Sequence, residues 1–383
     1  MKAMSGDRSM RVALISSGAG HVSRGIEIWM LELARHLSSA CRAELWAGRE
    51  PVGGPRPAVW LGNVGRDSPG LRSLPWERRY QAEQLTALPK ALWALRRRRM
   101  TVAYCGDPYL AWNLKRFRRW HGAKVVFMNG MRLTPRWLRD YDGIHLLAPP
   151  YLSEAQAMLP PEKAGRFFAV PHFADTERFV PPTPWERRSA REELGLPAEA
   201  FIVLTVGPVG SVSGKRLDHL AEEVAAASST ALLVSAGAPE DGAEAVRARA
   251  RRALGDRFRE LGRVERDPIG RLYQAADVYS LGSLAEPFSI AILEALASGL
   301  PVVHNEEETM VWQTGAGGVA VPMKTPGAAV PAFRKLESDP VLRARIALAA
   351  RALAEARYAP GPVCAALEQE LRRVSERPAP ARR

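Results

Sequence analysis

Short apolar runs and stretches of helical periodicity alternate along the chain. Apolar runs of strand length lie at 11–16, 43–46, 59–61, 124–128, 201–206, 231–235, 258–262, 277–281, 301–304 and 319–321. Helical segments are predicted at 26–37, 75–99, 109–120, 217–227, 326–358 and 362–373. A strand followed by a helix, repeated many times, predicts an α/β chain with parallel sheets. With 383 residues, the chain has room for two or three domains.

The first strand leads into a glycine-rich loop at 17–25 and then into the helix at 26–37. Strand, glycine loop and helix in that order open a doubly wound domain. Gly18 and Gly20 suit the dinucleotide-binding fingerprint, but the third glycine comes too late for it. The loop therefore predicts the type of domain without matching a dinucleotide site.

A second strand-to-helix corner carries the strongest candidate chemistry. Glu286 follows the apolar run at 277–281, so it lies at the carboxyl end of a predicted strand, where open parallel sheets bind their ligands. Pro287 suits the start of a helix. The free N–H groups near Ser289 and Ile290 would then face a ligand, and a helix N-terminus favours an anion such as phosphate.

Glu294 lies about one helical turn further along, on the face shared with Ile290 and Ala291. Its carboxylate can accept two hydrogen bonds from a vicinal diol such as a ribose. With Glu286 as an acceptor for sugar hydroxyls, the corner would hold the three parts of a nucleotide sugar. On spacing alone, an amphipathic helix with two solvated glutamates is the simpler interpretation, because paired acids are common on helices.

The surrounding residues favour the nucleotide sugar. Residues 273–303, YQAADVYSLGSLAEPFSIAILEALASGLPVV, closely resemble the C-terminal signature of the family 4 (GT4) retaining glycosyltransferases. These are enzymes of the GT-B superfamily. The resemblance implies two Rossmann-like doubly wound domains that face each other across a cleft, with a C-terminal helix that crosses back to the first domain.

The same resemblance implies the reaction. A sugar would move from a nucleotide diphosphate donor, with UDP-sugar favoured and GDP-sugar next, to a hydroxyl acceptor with retention of the anomeric configuration. Neither a metal nor another cofactor would be required. The expected products are glycolipids, polysaccharides or secondary-metabolite glycosides, and the sequence leaves base, sugar, acceptor and oligomeric state open.

Two positions before residue 150 match the family loosely. Its N-terminal loop, which approaches the donor, corresponds to Arg24 and Gly25, and Arg24 stands where a glycine is usual. Asn129 stands where many members carry a histidine that touches the donor sugar. An amide can donate and accept hydrogen bonds, but it cannot act as an acid or base.

The loop at 207–216 resembles the family's diphosphate-binding segment. Gly207 and Lys215 match, whereas Pro208 replaces the usual arginine. Either Arg216 or Arg24 compensates for that arginine, or diphosphate binding is weaker. The implied catalytic residues are Glu286 and Asn129. The implied donor site comprises Arg24, Gly25, Gly207, Lys215, Arg216, Arg263, Val264, Glu286, Pro287, Phe288, Ser289, Ile290 and Glu294, with Arg263 and Val264 beside the base.

The segment at 170–181 resembles the crossing between the two family domains, and a proline-rich stretch follows it. We therefore expect an acceptor-binding domain at 1–170, a linker at 171–184 and a donor-binding domain at 185–358. The C-terminal helix at 359–374 would pack on the first domain, and a disordered tail would occupy 375–383.

The net charge of +13 is uneven, since residues 1–170 hold 27 Lys and Arg against 13 Asp and Glu. Arginines interleave with tryptophans at 109–120, which suits an anionic membrane surface or a nucleic-acid backbone. A solvated face with its aromatics in the core fits equally well. No nucleic-acid module is evident. We expect a cytoplasmic protein, and a peripheral site at the inner face of the plasma membrane is the further expectation.

Smaller signals are assigned to structure. The triplet at 140–142, Asp-Tyr-Asp, is interpreted as surface, and the acidic run at 306–308 as a solvated loop. The three widely spaced cysteines are interpreted as small buried residues of a reducing compartment. No secretory leader and no membrane-spanning run are predicted. Two other functions stay open: a nucleotide-sugar epimerase of the same fold, and a non-catalytic basic binding protein.

Overall fold

The computed structural model describes residues 10–22, 25–51, 54–130, 134–135, 138, 140–158, 165–264 and 268–378. The chain divides into two compact units. Unit 1 comprises residues 1–172 together with 361–383, and unit 2 comprises residues 173–360.

Unit 1 is built on a parallel sheet with the strand order β3-β2-β1-β4-β5-β6-β7. Its strands are β1 (Val12–Ser16), β2 (Ala43–Ala47), β3 (Val59–Trp60), β4 (Val102–Cys105), β5 (Lys124–Met128), β6 (Gly143–Leu146) and β7 (Phe167–Ala169). The central strands are buried along their whole length, which explains why they are near-continuous apolar runs.

The helices of unit 1 are α1 (Gly25–His36), α2 (Trp76–Arg97), α3 (Pro108–Arg116), α4 (Arg118–His121), α5 (Pro149–Met158) and the C-terminal α14 (Pro360–Glu376). The α14 helix is held to the rest of the unit by polar and apolar contacts. The Glu368 carboxylate accepts the Ser38 amide and hydroxyl at 2.6 and 2.7 Å. A Cβ at Gly143 would meet Val374 at 2.9 Å, so the helix packs directly on β6.

Unit 2 is a second parallel sheet, with the strand order β10-β9-β8-β11-β12-β13. Its strands are β8 (Ile202–Val206), β9 (Leu232–Ala236), β10 (Phe258–Glu260), β11 (Val278–Ser280), β12 (Val302–Asn305) and β13 (Gly318–Val321). Its helices are α6 (Pro184–Glu193), α7 (Leu217–Ala227), α8 (Ala243–Leu254), α9 (Ile269–Ala275), α10 (Ile290–Ala297), α11 (Glu308–Thr314), α12 (Val330–Ser338) and α13 (Pro340–Arg357). Both sheets have helices in the connections between their parallel strands, as a doubly wound fold requires.

Helix caps correct two of the predicted loops. The expected linker ends at Thr183, because Thr183 and Glu186 form a capping box and Pro184 begins α6. The acidic run at 306–308 is not a solvated loop throughout, since the Glu307 carboxylate accepts the Met310 amide at 3.0 Å and starts α11.

Other boundaries also differ from those predicted. The helical segment at 326–358 breaks at Asp339, whose carboxylate accepts the Leu342 amide at 2.9 Å and caps α13. The α14 helix continues two residues into the expected tail, of which 379–383 lie outside the described residues. The triplet at 140–142 is not simply surface. Tyr141 is fully buried, and Asp142 accepts the Val125 amide at 2.9 Å.

Candidate functional site

The corner between β11 and α10 is fixed by its own side chains. Ser289 is the N-cap of α10, and its hydroxyl accepts the Ile292 amide at 3.4 Å. The helix has only eight residues, which is too short to be stable alone. Ile292 and Leu293 are fully buried, as are most of the residues that follow, so packing holds the helix in place.

A buried glutamine clamps the start of this helix. Gln313 on α11 accepts the Ser289 amide at 3.3 Å and donates to the Ser289 carbonyl at 2.6 Å. The Tyr358 hydroxyl donates to the Gln313 carbonyl at 2.8 Å and supports the clamp. The Ser289 amide, expected to face a phosphate, is therefore engaged within the protein. The amides of Ile290 and Ala291 are the ones that no carbonyl within the helix can satisfy.

Glu286 is joined to the loop after β8 and to a second residue of its own loop. Its Oε1 atom accepts a hydrogen bond from Lys215 Nζ at 2.6 Å and another from the Ser283 hydroxyl at 2.6 Å. The Lys215–Glu286 pair is mostly buried, so solvent screens it less than a surface pair. A lysine has three donors, so Lys215 can hold Glu286 and an incoming anion together. Ser283 was not predicted, although it lies three residues before Glu286.

Glu294 is almost completely buried, so it is not a solvated helix residue. Its Oε2 atom accepts the Tyr273 hydroxyl at 2.8 Å. Burial and the nearby carboxylates of Glu286 and Glu294 raise the pKa of Tyr279 well above its ordinary value. Both acids therefore lie close to one phenol, and the structure brings them together at one edge of the sheet. Tyr273 was missed because it lies on α9, 21 residues earlier.

The loop after β8 brings Gly207, Lys215 and Arg216 to the same corner. Gly207 has φ of 153°, and a Cβ there would lie 3.2 Å from Lys215 Cε. Arg216 donates from Nη1 to the carbonyls of Gly282 and Met323 at 3.3 and 3.0 Å. Arg216 thus braces the two loops against each other, and its contact with a ligand stays a prediction.

The other predicted residues of unit 2 border this corner. Pro287 and Phe288 are half-buried, and Phe288 packs against Trp312 and Tyr358 with ring centroids 6.4 and 6.3 Å away. Arg263 is exposed and Val264 is half-buried. Their contact with a base is untested.

Of the predicted residues of unit 1, the structure describes Gly25 and Asn129. Gly25 begins α1, while Arg24 lies outside the described residues. Asn129 directly follows β5 and is buried. Its backbone N–H donates to the His145 carbonyl at 2.9 Å. Its side-chain Oδ1 has no hydrogen-bond partner within the described part of the chain, so a polar ligand group could satisfy it.

A buried ionic cluster near the same edge was not predicted. Arg66 contacts Glu83 and lies 3.2 Å from Glu27, and His21 lies 3.2 Å from Glu83. Burial would raise the pKa of Glu83, but hydrogen bonds from His21 and Arg66 lower it. Burial raises the pKa of Asp107, which accepts the Ser17 amide, to about 7. No sequence motif joins these residues, which come from separate elements.

The basic helices of unit 1 expose aromatic rings. Trp93 on α2 is 52% exposed, and Trp120 on α4 is 47% exposed. Lys90 and Arg97 lie over the Trp93 ring at 5.2 and 5.3 Å, and Arg96 lies over Trp120 at 5.1 Å. These two rings are therefore not core residues, and Trp120 belongs to the segment 109–120. No described helix has the length and apolar character needed to cross a bilayer.

Solved structures show the same fold. Sucrose-phosphate synthase from Thermosynechococcus elongatus matches with a TM-score of 0.76 and 20% identity, over 95% of this chain and 99% of that one. HepE from Anabaena, solved in complex with UDP and glucose, matches with a TM-score of 0.75 and 15% identity, over 95% of this chain and 100% of that one. The fold class is GT-B with two Rossmann-like domains, and the prediction of that class is confirmed.

The sequence comparisons show a similarity in the central part of unit 2. Residues 200–339 match the model of glycosyl transferases group 1, which confirms the predicted resemblance. D-inositol 3-phosphate glycosyltransferase of Xylanimonas cellulosilytica is 33% identical over 201 residues, covering 49% of this chain and 46% of the relative. The enzyme of the same name from Kineococcus radiotolerans is 32% identical over 206 residues, covering 48% and 46%. The chain spans about half the length of these curated relatives.

Proposed function

We propose that this protein is a retaining glycosyltransferase that moves a sugar from a nucleotide diphosphate donor to a hydroxyl acceptor. The observation that carries the proposal is the Lys215–Glu286 pair at 2.6 Å beside the N-terminus of α10, with buried Glu294 further along the same helix. A cation and unsatisfied helix amides suit a diphosphate, and a buried carboxylate suits the hydroxyls of a ribose. The match of residues 200–339 to glycosyl transferases group 1 supports it.

In this proposal Lys215 and the amides of Ile290 and Ala291 bind the diphosphate. As the bond to the sugar breaks, negative charge grows on the leaving diphosphate, and pre-oriented donors stabilise it without reorganising. Glu286 accepts sugar hydroxyls and orients the donor. Glu294, held in place by Tyr273, accepts the ribose diol. Unit 1 contributes Asn129 as a hydrogen-bonding partner of the sugar.

UDP-sugar is the favoured donor and GDP-sugar the next. The structures of HepE with UDP support UDP as the first choice. D-inositol 3-phosphate, the compound in the relatives' names, is the first acceptor to try. Glycolipid, polysaccharide and secondary-metabolite acceptors remain in the proposal, because the match covers only half of those relatives.

The test is turnover of purified protein with each nucleotide sugar and a panel of hydroxyl acceptors. We expect nucleotide diphosphate release that depends on acceptor, and a glycoside whose anomeric proton coupling in NMR matches the donor's. Release without glycoside would instead favour an epimerase. Activity should survive EDTA, since we propose that no metal takes part, and loss that Mg²⁺ or Mn²⁺ restores would refute that point.

We also propose that the exposed Trp93 and Trp120, with the cations stacked on them, place unit 1 against an anionic membrane surface. Tryptophan suits the bilayer interface, and Lys and Arg are attracted to anionic headgroups. Trp93→Ala/Trp120→Ala should abolish co-sedimentation with phosphatidylglycerol vesicles, whereas Trp185→Ala, at an even more exposed tryptophan of unit 2, should not. Equal binding to phosphatidylcholine vesicles, or preferential binding to RNA, would contradict the membrane assignment. A cytoplasmic location is part of the same proposal.

A further inference from the structure

A cavity of about 900 Å³ lies within unit 2, away from the proposed donor site. Phe201, Asp277 and Pro301 line it, and each directly precedes a strand, β8, β11 and β12 respectively. The cavity is therefore at the amino ends of these strands. Gly207 and Glu286 follow β8 and β11, so the proposed donor site is at the opposite edge of the sheet.

Five arginines line the cavity: Arg187, Arg188, Arg191, Arg343 and Arg351. Two of them are fully engaged with the protein. Arg191 donates to the Ala275 and Ala198 carbonyls and to Asp277, and Arg351 donates to three backbone carbonyls and to Glu355. Arg191 and Arg351 therefore have a structural role.

The other three keep donors available. Arg187 and Arg343 each make hydrogen bonds to described residues through Nη1 alone, and Arg188 is exposed at the rim. The Arg343 guanidinium also lies 5.5 Å from the Phe201 ring centroid, which keeps it on the cavity wall. A guanidinium has five N–H donors, so Nη2 and Nε of both side chains can serve a ligand.

Carboxylates neutralise this group only in part, because three of them line the cavity against five arginines. Asp277 is held by Arg187 and Arg191, and the carboxylate of Glu337 accepts the Ser228 hydroxyl. Glu199 is exposed at the rim. Burial lowers the pKa of Arg187, the Asp277 carboxylate raises it, and the positive charges of Arg191 and Arg343 lower it.

A buried hydroxyl adds an independent sign of a ligand. Ser298 lines the wall, is only 2% exposed, and its Oγ has no hydrogen-bond partner among the residues that the structure describes. Buried polar groups are nearly always satisfied by protein, water or ligand. Phe201, Leu300 and Leu348 supply apolar walls beside these polar groups.

We propose that this cavity binds a small phosphorylated molecule, with its phosphate on Arg187, Arg188 and Arg343 and its organic part against the apolar wall. Guanidinium groups bind phosphate oxygens in a bidentate way, which favours phosphate over a simple halide or sulfonate surface contact. The volume lies within the range of small-molecule sites. This site is separate from the nucleotide diphosphate site and does not depend on it.

The test is calorimetry of the full chain with glucose 6-phosphate as the probe and glucose as its uncharged counterpart. We expect glucose 6-phosphate alone to bind. Arg188→Ala/Arg343→Ala should weaken it about tenfold or more. Lys215→Ala should leave it unchanged, because that variant affects only the opposite edge. Arg252→Ala/Arg345→Ala removes two exposed charges outside the cavity and should also leave it unchanged.

Arg188 is exposed, so Arg188→Ala folds even if the double variant does not, and it should still weaken binding measurably. Absence of binding to the wild type, equal binding of glucose, or loss of binding in Lys215→Ala would each overturn the proposal. So would binding confined to phosphatidylglycerol vesicles, since that would place the phosphate on a lipid headgroup.

Discussion

Glu294→Ala gives the sharpest test of the proposed donor site. The substitution removes a carboxylate that is 4% exposed and bonded to the Tyr273 hydroxyl at 2.8 Å. In the proposal, this carboxylate accepts two hydrogen bonds from the ribose diol. A hydrogen bond to a charged group contributes about 1.5–3 kcal/mol, so losing two weakens nucleotide binding by about 3 kcal/mol or more.

The expected size of the effect follows from mass action. UDP at about a hundred times its Kd stabilises the wild type by about 2.7 kcal/mol. A loss of 3 kcal/mol weakens affinity more than a hundredfold, which leaves the variant with about 0.3 kcal/mol of stabilisation at the same UDP concentration. For a unit of 150–250 residues, 1 kcal/mol corresponds to about 2–4 °C in Tm. The wild-type shift of about 5–10 °C should therefore fall to about 1 °C.

The assay is thermal unfolding with and without UDP, GDP, ADP and TDP. Glu223→Ala is the matched control, because Glu223 is an equally buried acid of unit 2 whose carboxylate accepts the Gly327 and Ala329 amides. Glu223→Ala should lower the Tm of the free protein yet keep the nucleotide shift. Asp142→Ala, in unit 1, should keep it as well. A full shift in Glu294→Ala, or equal losses in Glu294→Ala and Glu223→Ala, would refute the role of Glu294.

Three further predictions concern Lys215, Asn129 and Asp107. Lys215→Ala should weaken UDP about tenfold or more in calorimetry while uridine binding stays the same, because only the diphosphate meets the lysine; an equal loss for uridine would contradict this. Asn129→Ala should lower kcat about tenfold or more with UDP affinity unchanged, since UDP lacks the sugar, and unchanged kcat would exclude the residue. The pKa of Asp107 is raised to about 7, so folded unit 1 keeps a proton that the unfolded chain releases near pH 4. Its stability should therefore fall, by up to about 4 kcal/mol, between about pH 4 and pH 7. Urea unfolding should show a smaller fall in Asp107→Asn, and the same fall in both proteins would exclude Asp107 as the cause.

Much of the fold could be predicted because buried parallel strands are apolar on both faces. The strand Lys124–Met128 and the helix Leu217–Ala227 have the predicted bounds. Val102–Cys105, Gly143–Leu146 and Phe167–Ala169 were missed. Each has only three or four residues, and Gly143–Leu146 also carries the buried His145, so apolar runs alone did not reveal them.

The candidate site shows the same division. Glu286, Glu294 and Lys215 could be named because they lie in local motifs. Tyr273 and Gln313 could not, since each reaches the corner from another helix and only the packed fold brings it there. The helix start at Glu307 was missed because an acidic run such as 306–308 predicts a solvent-exposed loop unless Glu307 is recognised as an N-cap residue.

The Gln313 clamp has a consequence for how the protein meets its ligand. Gln313 holds both the amide and the carbonyl of Ser289 before anything binds, so the corner is already ordered. The protein backbone therefore loses little conformational entropy when a nucleotide binds. The Ser289 amide should therefore exchange slowly with deuterium in the free protein. Gln313→Ala should make that exchange fast and slow the association of nucleotide, although the glutamine itself never touches it.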